Sequence, residues 1–183
     1  MSEKEKFEIR EYPKDGRLAK YEKELILLMK ANDNKGIIAF SEGIFFDCIE
    51  YLKATFKLNI PNLCLNLINH KDFSELADKA DAVFGAIPRH GAMIIGHPNS
   101  PPDVFIDFQR YFENKKPIEF IANICTAYIE ELIHASNPIL TETQIQEIVC
   151  SAIEGFLEIK LPNSLKQYRL NYAKTCDGIQ SQR

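Results

Sequence analysis

Apolar residues recur every three or four positions in the two opening stretches of the chain. Leu18, Tyr21, Leu25, Leu28 and Met29 predict a helix over 17–31, closed by the polar run Asn32-Asp33-Asn34 before Gly36. Phe40, Ile44, Phe45, Cys48, Ile49, Leu52 and Phe56 predict a second helix over 38–56, weakened slightly by Gly43. Beyond Pro61 the period shortens. Leu63 to Ile68, Ala82 to Ile87, Gly91 to Ile95 and Val104 to Phe108 read as strands, with a short helix at 72–79, opened by Asp72 and Ser74, between the first two. Pro88-Arg89-His90-Gly91 predicts a hairpin joining the second and third strands. His97 to Pro102 is expected to be irregular, because adjacent prolines cannot donate to a ladder.

The helical period returns after Asn114-Lys115-Lys116. Pro117 suits the first position of a long helix over 117–136, with Ile118, Ile121, Cys125, Tyr128 and Leu132 along one stripe. Asn137-Pro138 ends it, since the residue before proline is pushed out of the helical region. Thr141 caps the next helix, over 141–158, with Gln144 at the capping-box position and Ile145, Ile148, Val149, Ala152, Ile153 and Phe156 on its buried face. From Leu161 onward the chain is polar and modestly basic, and reads as a marginal helix followed by a disordered tail. The fold class is therefore α+β: two N-terminal helices, a small sheet of three or four strands, and a closely connected helix pair. The expected boundaries are a tail over 1–16, one domain over 17–160, and a C-terminal helix or tail over 161–183.

Composition narrows the function classes. The 183 residues suit one core, and 45% apolar content with 12 Phe places the chain among globular proteins. A formal net charge of −4 disfavours nucleic acid and anionic membrane as partners. The N-terminus is charged, no run approaches the roughly 20 apolar residues that span a bilayer, and a cytoplasmic location is expected. Cys48, Cys64, Cys125, Cys150 and Cys176 are widely and irregularly spaced, as expected of reduced thiols that mostly fill cores.

The chemistry concentrates on the long helix. Glu130 and His134 are four apart, one above the other on a single face, where two ligands can grip one metal ion. Zincin peptidases use this geometry in His-Glu-x-x-His, two histidines holding zinc and the glutamate between them serving as general base. In this chain Glu130 replaces the first histidine and Glu131 occupies the base position. The competing reading takes Asn123, Ala127, Glu130, Glu131 and His134 as a polar stripe that simply meets water. Other candidates carry less. Glu131-x-x-His134 is half of a di-iron signature with no second copy, and His70, His90 and His97 fall in expected loops as solvated turn residues. Asp47 and Glu50 read as surface charge, and Gly91 to Gly96 lacks a phosphate-loop pattern.

The element order, the His-Pro-Asn corner before a Phe-Ile-Asp strand, and Glu130-Glu131-Leu132-Ile133-His134-Ala135 followed by Pro138 and Thr141-Glu142 resemble the small gluzincin-type zincins, the minigluzincins, over about residues 61–157. The resemblance implies a metallopeptidase-like protein acting on, or binding, a peptide or protein. It also implies that the third ligand is a glutamate of the following helix. Glu142 shares the side of Ile145, whereas Glu147 is rotated by roughly 200° from it at 3.6 residues per turn. Glu142 therefore ranks first, Glu154 second and Glu147 third. A Glu/His/Glu set cancels a double positive charge, so the ion is zinc or, with these oxygen donors, manganese. The alternative outcome of the same ancestry is a non-catalytic pseudo-peptidase with an interaction or regulatory role.

Overall fold

The computed structural model describes Ile9 and residues 12–84, 91–97 and 100–180. Its elements run α1 (Arg17–Lys30), α2 (Asn34–Phe56), β1 (Cys64–Ile68), α3 (His70–Phe84), β2 (Ala92–His97), β3 (Ser100–Asp107), α4 (Phe108–Phe112), α5 (Pro117–Ser136), α6 (Glu142–Leu157) and α7 (Asn163–Gln180). The α+β class stands, and the sheet has three strands in the order β1-β3-β2, with β1 parallel and β2 antiparallel to β3.

The helix ends follow local chemistry. Asp33 accepts a hydrogen bond from the Gly36 amide at the start of α2, and Lys57 closes that helix in the left-handed region at φ 56°. Pro117 opens α5 and the chain leaves the helix at Asn137, before Pro138. Thr141 and Gln144 form the expected capping box on α6.

The sheet follows its period of two. Val104 and Ile106 of β3 face the main core, while Phe105 meets Phe73 and Ala77 of α3 and Met93 of β2 on the other side. The main core is centred on α5, whose Phe120, Ile121, Ile124, Cys125, Tyr128, Ile129, Leu132 and Ile133 are buried. This helix packs on α1, α2, α6 and the sheet.

Two expectations, at 82–84 and at Pro101-Pro102, are corrected. Residues 82–84 are the last turn of α3, not a strand, because Phe73, Ala77 and Ala80 bury a helical stripe that carries the helix through to Phe84. Residues 85–87 and the hairpin turn at 88–90 lie outside the described residues; β2 pairs with β3 instead. Pro101 and Pro102 belong to β3: β1 pairs with it only from Asp103 onward, and the β2 register shifts between Ile95 and His97, so the missing amides fall where the ladder is one-sided and already interrupted. The C-terminal helix expected after Leu161 is present as the 18-residue α7, which packs along α6 and runs to Gln180.

Candidate metal centre

The short turn between α5 and α6 brings the end of one helix beside the start of the next. Glu130 and His134, one turn apart on α5, meet Glu142 in the first turn of α6. One ligand atom from each of the three lies within 4.8 Å of the others. His134 Nε2 is 3.6 Å from Glu142 Oε2. Ligands at about 2.0–2.2 Å from one ion lie roughly 3–3.5 Å apart, so the widest edge must contract by about 1 Å for all three to bind together. The group could hold a metal ion.

Glu154 and Glu147 are elsewhere. Glu154 accepts hydrogen bonds from the Leu161 amide and pairs with Lys166 at 2.7 Å. Glu147 is exposed.

The α5 polar stripe is only partly wet: Asn123, Glu130 and His134 are partly exposed, whereas Ala127 and Glu131 are buried. Ala127 is 5% and Glu131 8% exposed. Burial raises the Glu131 carboxyl well above the usual carboxylate range, and the nearby Glu130 and Glu142 carboxylates push the same way. A general base must be ionised to take a proton from water, and every neighbour named here opposes that in Glu131.

Two residues passed over in the sequence complete the cluster. Gln146 donates from Nε2 to Glu130 Oε1 and to Glu142 Oε1, both at 2.8 Å. Arg169 of α7 donates from Nη2 to Glu130 Oε2 at 2.7 Å and from Nε to Gln146 Oε1 at 2.8 Å. The helical spacing could have found both. Gln146 is four after Glu142, and Leu165, Arg169, Ala173 and Asp177 form one stripe at intervals of four. Asp177 accepts from the Glu142 and Thr143 amides and the Thr143 hydroxyl, capping α6 from outside its own chain segment. Although burial opposes it, these bonds from Thr143 and Glu142 lower the Asp177 carboxyl.

His70 lies apart from this cluster. His70 is the first residue of α3, not a free turn residue, and its Nδ1 is 2.6 Å from the buried Asp107 carboxylate, whose other oxygen caps α4 through the Arg110 amide. His97 ends β2, and His90 lies outside the described residues. An open cleft of about 300 Å³ is lined by Leu67, Ile68, Asn69, Phe108, Gln109, Phe112 and Glu113, and by no residue of the Glu130 cluster. No helix among the described residues is long and apolar enough to cross a membrane. No protein-family model, curated protein or solved structure matches the chain.

Proposed function

We propose that this is a metallopeptidase-like protein of the minigluzincin type that binds one divalent cation through Glu130, His134 and Glu142. The observation that carries the reading is the convergence of three ligand atoms within 4.8 Å from two different helices. The two carboxylates neutralise a double charge, and the imidazole favours zinc over calcium or magnesium, with manganese as the oxygen-tolerant alternative. If hydrolysis occurs, Glu131 is the base and a peptide the substrate; the same scaffold without hydrolysis would bind a peptide or protein as partner. Five free cysteines fit a cytoplasmic location.

A second reading, a non-catalytic pseudo-peptidase, is favoured by a specific observation. Both oxygens of Glu130 are already taken, one by Gln146 and one by Arg169. Those contacts oppose cation binding at Glu130, and the burial of Glu131 makes hydrolysis the weaker half of the proposal.

The test is metal content after purification, followed by titration of the metal-free protein with zinc and manganese. One equivalent should bind at least about tenfold more tightly to the natural protein than to His134→Ala, which removes the only nitrogen ligand. Equal binding by the two proteins would overturn the metal reading.

A further inference from the structure

The structure assigns α7 a second role at the same site: we propose that Arg169 is the resident counter-ion of the Glu130–His134–Glu142 group, so that a divalent cation and the docked helix α7 compete for Glu130. The inference rests on the cation-binding reading above and adds its regulation.

The competition follows from the atoms. Glu130 Oε2 receives the guanidinium at 2.7 Å, and Glu130 Oε1 receives Gln146, whose own oxygen is held by Arg169 Nε at 2.8 Å. A cation drawn to Glu130 must therefore meet a positive charge one hydrogen bond away from its ligand. Like charges so close, in a site where Glu130 and Arg169 side chains are only 19% and 22% exposed, repel with little screening. The guanidinium therefore opposes closure of the ligand set.

The consequences reach along α7. Beyond Arg169, this helix is tied down by the Lys166–Glu154 pair at 2.7 Å, by buried Ala173, and by Asp177 on the amides that open α6. Asp177 bonds the amide of Glu142 itself, at 2.7 Å, so α7 grips both helices that supply ligands. Losing the guanidinium contact removes the central one of three polar attachments. Binding linkage is reciprocal: if docked α7 weakens cation binding, the cation loosens α7 by the same factor.

Two measurements on the full chain test this. Zinc affinity is compared for the natural protein, Arg169→Ala, Lys166→Ala and His134→Ala; Lys166→Ala loosens α7 without touching the cluster. Amide hydrogen exchange over 163–180 is followed in the natural protein with and without zinc, which requires no variant to fold. We expect Arg169→Ala to bind zinc about tenfold more tightly or better, Lys166→Ala to move in the same direction by less, and zinc to speed exchange in α7 of the natural protein but not of His134→Ala. Zinc binding that is specific to His134 but indifferent to Arg169→Ala, with α7 exchange unchanged, would overturn the latch and leave the metal site standing. No zinc binding above the His134→Ala level in any of these proteins would overturn both.

Discussion

Arg169 and Glu130, 39 positions apart in sequence, meet at 2.7 Å and tie the C-terminal helix to the site helix. The pair is mostly shielded from solvent and shares Gln146 as a common neighbour, so its members act as a unit. Such a pair contributes chiefly by keeping each charge from being left alone.

Removing both partners should therefore cost less than the sum of removing each. Arg169→Ala is expected to destabilise the metal-free protein by about 1–3 kcal/mol, and Arg169→Ala with Glu130→Gln by less than the sum of the single changes, with a coupling of about 1 kcal/mol or more. Urea denaturation of the four proteins of this cycle measures it; strict additivity would show that the contact is energetically idle.

Restoring histidine at 130 should strengthen zinc binding for two reasons. Glu130→His completes the His-Glu-x-x-His pattern on α5 and removes the carboxylate that holds Arg169. Zinc affinity should rise by about tenfold or more, read by competition with a chromogenic indicator. Peptide hydrolysis should lag behind binding, because Glu131 remains buried.

Tyr128 offers a control in the core. Its hydroxyl is buried without a hydrogen-bond partner among the described residues, while its ring packs edge-on against Phe45 at 5.1 Å. Tyr128→Phe keeps the ring and removes an unsatisfied polar atom. The variant should be as stable as the natural protein or more stable by about 1 kcal/mol, by thermal or chemical denaturation. A loss above that size would reveal a partner for the hydroxyl.

The cap supplied by Asp177 should be measurable apart from the cluster. Asp177→Ala removes the acceptor for two amides and a hydroxyl at the start of α6. The expected loss is about 1–2 kcal/mol, with faster exchange of the Glu142 and Thr143 amides. Unchanged exchange there would mean that Thr141 and Gln144 alone cap the helix.

Alkaline stability should depend on Tyr21. Burial, and the hydrogen bond its hydroxyl donates to Asp47 at 2.5 Å, raise this phenol above its ordinary value. A raised folded-state value means the contribution is complete below the unfolded phenol's pKa of about 10 and is lost as pH climbs beyond it. Stability should fall more steeply above pH ~10 in the natural protein than in Tyr21→Phe, by denaturant titrations on either side of that pH. Tyr12, pushed up to about 12 by its bond to Glu22, contributes equally to both proteins and does not alter the comparison.

The local order of this chain was legible because the relevant physics is local. The apolar period, Pro117, Pro138 and the Thr141–Gln144 box set α1, α5 and α6 nearly to the residue, whereas α2 begins four residues before its expected start, and the four-residue spacing of Glu130 and His134 is a property of any α-helix. The short turn at 137–141 made α5 and α6 neighbours, and the face shared with Ile145 selected Glu142 over Glu147. Register and burial were another matter. Pro101 and Pro102 break a ladder in isolation, and only the position of β1 against β3 decided that their missing amides go unneeded. Whether Glu131 meets water or protein depends on what the surrounding elements place over it. Whether the cation at Glu130 is a metal or an arginine depends on where α7 folds back. The stripe of Leu165, Arg169, Ala173 and Asp177 marks a face of α7 that packs but not what it packs on; the sign of a charge is written in the sequence, but its partner is chosen by the packing of helices that the sequence separates by 39 residues.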